Sequence, residues 1–337
     1  MTKGYRGYRG RMSIWKKLGI GVLVLLLLGS IGFLAFRDRI LSTERTEKEE
    51  QQMLEKLPEG ELEIIIEEPK KEEKTALFAI EADASVLRGG TQSVLDRASE
   101  LGANAIAVRL KDAAGKLHYT SDIPEAQEAE AVVGNAVSDG AIEDLVNSKY
   151  HTVARVTALH DSAFAFRYPD GAAVQQLQYP GVVWYDPDST FWLAPEKELT
   201  GSYLSRIALE CASLGFDELL LDAFAYPSNG RQSNIDERGR TVTRSEAVEA
   251  LAQELFRALE DTQMLLSLEL DAQTVLAGGD EEKGQNVEQL SLYFDRIYVK
   301  TTASELPKLE KVFAALDVEF VPILTEARED GAFLLSK

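Results

Sequence analysis

Two kinds of apolar pattern divide the chain. Near the N-terminus, Leu18–Phe36 is an unbroken run of nineteen residues without a charge. At about 1.5 Å of rise per residue, a helix of that length matches the roughly 30 Å hydrocarbon core of a bilayer. From Thr75 onward the pattern changes to short apolar runs that alternate with amphipathic stretches. The runs are Leu77–Ile80, Ala105–Leu110, His151–Ala158, Glu218–Asp222, Met264–Leu270, Arg296–Val299, Glu319–Leu324 and Ala332–Leu335. Helical periodicity separates most of them, at Thr91–Leu101, Ala141–Asn147, Pro195–Leu214, Arg244–Asp261, Gln285–Tyr293 and Leu306–Leu316. Eight strands with helices between them predict a parallel sheet closed into a (β/α)8 barrel. The rival is an open doubly wound sheet, but no glycine-rich phosphate loop follows the first run, and Gly89-Gly90 does not supply one.

Charge orients the N-terminal run. Lys3, Arg6, Arg9, Arg11, Lys16 and Lys17 precede it with no acidic residue among them, whereas the far flank mixes both signs. Basic flanks stay on the cytoplasmic side, so the rest of the chain is expected outside the cell membrane. A cleaved signal peptide would carry a shorter apolar region and a small-x-small site; Leu34-Ala35-Phe36-Arg37 is a poor one. The expected organisation is a cytoplasmic tip over 1–17, a single-pass anchor over 18–36, a tether rich in Glu and Lys over 37–74, and a barrel over 75–337.

Composition narrows the chemistry. The 337 residues are 45% hydrophobic and 27% charged, as in a packed globular body, and carry a net charge of -20, which disfavours nucleic acid as a partner. The single cysteine, Cys211, excludes an internal disulfide and reads as a small buried hydrophobe. His118, His151 and His160 lack metal-ligand spacing, so neither a metal nor a cofactor is expected.

Several segments resemble a bacterial glycoside-hydrolase-type family with a TIM-barrel domain, the domain of unknown function 4015 type. Leu101–Asp112 running on to Gly115 and Tyr119 resembles its second-strand motif, and His151–Asp161 its third strand. Trp184-Tyr-Asp-Pro187 is similar to the element that follows. Leu214-Gly-Phe-Asp-Glu-Leu-Leu-Leu-Asp222 with Tyr226-Pro227 resembles G-F-D-E-I-x-x-D-Y-V-R-F-P, and Pro322–Glu326 and Asp330–Leu335 the last two strands. The chain departs from that pattern at Arg109, where the family places an aspartate, at Ala225 in place of an arginine, and in the sixth strand, Ile297–Ala303.

The resemblance implies glycosidic-bond chemistry on an envelope or extracellular polysaccharide, and such chemistry needs two carboxyl groups flanking the scissile bond. Asp222 and Glu269, at the ends of the fourth and fifth strands, are the expected pair. Asp112, Arg155, His160, Trp184, Asp186, Tyr226 and Glu326 are the expected substrate-binding residues, with Arg155 in a strand where it needs an acidic partner such as Asp222 or Glu269. Trp184, Tyr185, Trp192 and Tyr226 are candidates for stacking on sugar rings. The lost marks keep a second reading open: an inactive barrel that binds cell-wall glycan or a protein as an envelope scaffold.

Overall fold

The computed structural model describes residues 76–328 and 330–336. The cytoplasmic tip, the anchor and the tether expected from the sequence lie outside the described residues. Among the described residues, no helix is long and apolar enough to cross a membrane.

Eight parallel strands close a barrel: β1 (Phe78–Asp83), β2 (Ala105–Lys111), β3 (His151–Thr157), β4 (Glu218–Asp222), β5 (Leu265–Asp271), β6 (Arg296–Lys300), β7 (Glu319–Leu324) and β8 (Phe333–Leu335). Neighbours in sequence are neighbours in the barrel, and β1 pairs with both β2 and β8, which closes the ring. All eight strands fall on the apolar runs read from the sequence. Helices α1 (Gln92–Leu101), α2 (Asp139–Val146), α3 (Glu198–Ser213), α4 (Arg244–Leu259), α5 (Ala272–Ala277) and α6 (Leu306–Phe313) occupy connections between them. The start of α4 is fixed locally. Thr243 Oγ1 accepts from the Glu246 amide at 3.1 Å, and Glu246 Oε2 accepts from the Thr243 amide at 2.7 Å, a reciprocal capping box.

Both faces of a parallel sheet are buried, so the strands alternate between two apolar environments rather than between core and water. Ala79, Ala107, Val153, Leu220, Tyr298 and Val321 form the cluster enclosed by the barrel. Ile80, Ile106, Ala154, Leu219, Leu268 and Val299 take the other phase and pack beneath the helices, with Cys211 of α3 buried among them. The period of two fixes which charged residues face inward. Glu81, Arg109, Arg155 and Asp222 share the phase of Ala79, Ala107, Val153 and Leu220.

Two segments differ from the sequence reading. Gln285–Tyr293 is helical only over Val287–Leu290, because Gln285 and Asn286 bridge Gly279 and Asp280 in a hairpin and the Asn286 side chain caps the turn that follows. After β2 the chain makes an excursion, Leu117–Tyr119 and Val132–Val137, that extends the sheet beyond the barrel. Its turn depends on Gly115, at φ +81, where a β-carbon would lie 1.9 Å from Asp161 Oδ1. That oxygen is already engaged, accepting the Phe164 amide at 2.8 Å as a helix cap. Gly115→Ala is therefore expected to lower stability by about 2 kcal/mol or more, through strain at positive φ and displacement of the cap. Chemical denaturation of the full-length protein checks this; an unchanged midpoint would contradict the close approach.

Candidate active site

The inward positions near the C-terminal ends of β1 to β5 carry charge where the layer beneath them carries alanine, valine and leucine. Arg155 of β3 is the hub. Its Nη1 donates to Glu81 Oε1 at 2.7 Å, its Nε to Asp222 Oδ2 at 2.9 Å, and its Nη2 to Glu269 Oε2. Arg109 of β2 adds a second bridge, with Nη1 2.8 Å from Asp222 Oδ2 and 3.2 Å from Thr157 Oγ1, and Nη2 3.3 Å from Glu81 Oε1. Three carboxylates from three strands thus face two guanidiniums. The Arg155 side chain is 5% exposed and that of Arg109 is 27% exposed, so Arg109 is the outer member.

The environment separates the two expected acids. Burial alone would raise Asp222, but the charges of Arg155 and Arg109 outweigh it and hold that carboxyl below its ordinary range. Burial dominates at Glu269 and pushes it up, helped by the negative Asp222 and opposed by Arg155. Opposite displacements of neighbouring carboxyls are the arrangement that gives one an ionised role and the other an acid role. Both touch one guanidinium, so their facing oxygens fall within the roughly 10 Å that a paired mechanism allows. Directly after Asp222, Ala223 holds φ +49, the left-handed region that a residue with a β-carbon rarely adopts. The Ala223 carbonyl accepts from Leu159 at 3.2 Å, and that of Asp222 from Ala158 at 2.8 Å, extending the β3–β4 pairing past the strand ends.

Behind this cluster lies an ion pair with no exposure on either side chain, Lys111 Nζ to Asp161 Oδ2 at 2.8 Å. A register shift between Arg109 and Lys111 in β2 re-aims Lys111. Its ammonium also donates to the Thr157 carbonyl at 2.6 Å. Lys111 and Asp161 fix the exit of β3 and so the loop that carries His160.

The remaining expected residues separate into distinct surroundings. His160 stacks on Trp192 with ring centroids 4.3 Å apart, and its Nε2 lies 2.6 Å from Thr190 Oγ1. Burial, more than any neighbouring charge, lowers its pKa and keeps the imidazole neutral. Asp186 organises the adjoining turn, accepting from the Asp188 and Thr190 amides, the Thr190 hydroxyl and Trp192 Nε1. Trp184 is buried against Val174, Ala194 and Ile235, so no face is open to a sugar. Tyr226 is buried too. Its hydroxyl donates to Glu196, and the guanidiniums of Arg240 and Arg244 lie 5.4 and 5.0 Å from its ring centre. Asp112 is committed to its own hairpin, accepting from Ala114 and Lys116 and pairing with His118 at 2.9 Å. Glu326 is exposed beyond β7, on the rim of a hollow lined by Lys300 and Thr301.

The structure thus brings Asp222, Glu269 and Arg155 together and leaves the other six outside that contact network. It adds Glu81 and Lys111, which the sequence reading missed. Glu81 had a legible signal: extending the first apolar run to Asp83 places it two residues after Ala79, in the inward phase.

The match to known families covers most of this barrel. Residues 81–301 match the model of DUF4015, described as "Putative glycosyl hydrolase domain". The chain belongs to this family. Among solved structures it is similar to the glycoside hydrolase domain of PgaB (BpsB) from Bordetella bronchiseptica, at 14% identity and a TM-score of 0.54, over 74% of this chain and 84% of that one. It is also similar to an inactive variant of the GH20 exo beta-N-acetylglucosaminidase from Vibrio harveyi, at 8% identity and a TM-score of 0.50, over 74% of this chain and 41% of that one. A hypothetical protein from Ruminiclostridium thermocellum matches at 23% identity and a TM-score of 0.49, over 57% of this chain and 96% of that one. The likeness to the PgaB domain agrees with the TIM-barrel fold of the DUF4015 domain. No curated protein matches the chain.

Within this domain the ion cluster makes a definite thermodynamic claim. The folded carboxyl of Asp222 is depressed, so its contribution to stability is complete above about pH 4 and is lost as the pH falls through the folded value. Asp222→Asn leaves two guanidiniums short of an anion and is expected to cost about 3 kcal/mol at pH 7. That difference should close only below about pH 4. Denaturant unfolding at several pH values checks it, and a gap that stays constant down to pH 3 would contradict the assignment.

Proposed function

We propose that this protein is a membrane-anchored, extracytoplasmic glycoside hydrolase that acts on envelope or extracellular polysaccharide through Asp222 and Glu269. The observation that carries the reading is the split acidity of two carboxyls held by one guanidinium at adjacent strand ends. At neutral pH Asp222 is ionised, and it either attacks the anomeric carbon or takes a proton from the attacking water. Glu269 carries the proton that passes to the departing glycosidic oxygen. Arg155 orients both carboxyls and keeps Asp222 anionic. His160, neutral beside Trp192 and Thr190, supplies a hydrogen-bonding edge for a sugar hydroxyl.

One specific observation favours the second reading. Arg109 bridges Glu81 and Asp222, and every acid in the cluster already has an arginine partner. An ion-paired mouth suits a barrel that holds glycan without cleaving it.

Turnover separates the two. Full-length protein incubated with a panel of envelope and extracellular polysaccharides is expected to release reducing ends, with Asp222→Asn and Glu269→Gln each lowering the rate at least about a thousandfold. Hydrolysis that survives Asp222→Asn removes the assignment. Binding without hydrolysis by the unmodified protein selects the scaffold. The location is tested separately: protease added outside cells stripped to the cytoplasmic membrane should digest the barrel and leave an N-terminal fragment protected.

A further inference from the structure

Of the rings expected to stack on sugar, Trp184 and Tyr226 are packed inside the protein and Trp192 is half-buried, whereas Tyr185 is exposed, and a ring not expected from the sequence, Phe166, is exposed with it. Phe166 is 74% exposed and Tyr185 56% exposed, both in the long connection between β3 and α3. Phe166 and Phe191 lie with ring centroids 6.4 Å apart at 29° between planes. Tyr185 and Phe191 face each other across an antiparallel bridge, a register that puts both side chains on one side of the ribbon. Phe166, Phe191 and Tyr185 therefore form a row.

This row is built onto the candidate active site. The Asp222 carbonyl accepts from Ala158, the Leu159 carbonyl from Leu193 at 2.7 Å, and the Phe191 carbonyl from Asp161 at 3.1 Å. Ser162 Oγ accepts the Phe191 amide at 3.0 Å. Two short steps of backbone pairing thus lead from the carboxylate to the aromatic row. Two exposed rings grouped about the half-buried Phe191 are costly to leave in water without an occupant. Their negative faces attract polarised C–H groups and offer no charge. In a chain of net charge -20, an uncharged landing strip suits a neutral ligand with flat apolar faces. Equatorially linked pyranose chains have that shape, because every ring presents axial C–H bonds to both faces and the chain runs straight. Axially linked chains coil away from a row.

We infer that Phe166, Phe191 and Tyr185 form a remote subsite that holds the chain of a β-linked, gluco-configured polysaccharide leading into the mouth at Asp222. The inference rests on the glycan reading above, since it names the polymer class that the barrel receives. Phe166 and Tyr185 project into solvent, so their removal leaves the fold intact.

The test is calorimetric titration of the purified full-length protein and its Phe166→Ala/Tyr185→Ala variant. The ligands are β-1,4-linked hexamers of glucose and of N-acetylglucosamine, their dimers, and the α-1,4-linked glucose hexamer. At least one β-linked hexamer is expected to bind about tenfold more weakly to the variant, with the matching dimer unchanged within about twofold. The α-linked hexamer is expected to show no dependence on the two rings. A β-hexamer affinity that ignores the substitutions, or an equal loss for the α-linked chain, overturns the inference. So does failure of every hexamer to bind. Self-association lost in the variant, with hexamer affinity intact, marks the row as a protein contact and also overturns it. Ring-dependent binding without hydrolysis leaves this inference standing and removes the hydrolase reading. Hydrolysis indifferent to the rings does the reverse.

Discussion

Placing the Arg155 guanidinium inside a barrel is the constraint around which this end of the molecule is built. Removing such an ion from water costs several kcal/mol, and only well-oriented anions recover it. Arg155 has a rigid fork of donors, and each branch finds a carboxylate from a different strand, Glu81 of β1, Asp222 of β4 and Glu269 of β5. Shift β4 by one residue and Asp222 would leave the interior, because neighbouring side chains on a strand point to opposite faces. The arginine therefore ties the register of four strands to one geometry. The same geometry gives the two proposed catalytic carboxyls their separation in acidity.

The opposite end of the barrel solves a similar problem differently. Glu218 opens β4 with no side-chain exposure, and it is met by His151 of β3 at 2.8 Å, Ser267 of β5 at 2.6 Å and Arg296 of β6 at 2.5 Å. Burial would raise the Glu218 carboxyl, but His151 and Arg296 outweigh that and hold it down. Asp217, just before it, accepts from the Thr152 amide and hydroxyl at 2.7 and 2.8 Å. In the Gly-Phe-Asp-Glu segment, the two acids that resemble a functional motif are thus the bottom rivets of the barrel. Asp222, at the other end of β4, reaches the top. Between the charged ends lies an apolar layer of Ala79, Ala107, Val153, Leu220 and Val321.

This layering explains which parts of the protein were legible in its sequence. Strand position is written in composition, since a strand buried on both faces must be apolar throughout, and all eight runs announced themselves. Asp222 and Glu269 were visible because a carboxylate at the end of such a run has few ways to be tolerated. Arg155 was visible for the same reason, although the sequence could not say that one fork would reach three acids. Glu81 was hidden only by a strand end drawn three residues early. Lys111 was hidden more deeply, because its burial depends on a local register shift, and register is a property of pairing rather than of one strand. Trp184 is covered and Tyr185 open for a related reason. Trp184, Tyr185, Phe191 and Trp192 occupy one irregular ribbon whose bridges, not its residue types, decide which rings are covered.

Arg109 is where stability and chemistry meet. It stands in β2 beside Arg155, register partner to register partner, and two adjacent cations are tolerated only because Glu81 and Asp222 lie between them. An aspartate there would have left Arg155 as the one guanidinium facing four carboxyl groups. With arginine, Asp222 is held below its ordinary range, while burial pushes Glu269 up. Arg109 is also the more exposed of the two guanidiniums, and its contact with Glu81, at 3.3 Å, is longer than the 2.7 Å one made by Arg155. Any ligand entering the mouth therefore meets Arg109 before it meets Arg155. The inner arginine holds the fold together, and the outer one sets the terms on which Asp222 is reached.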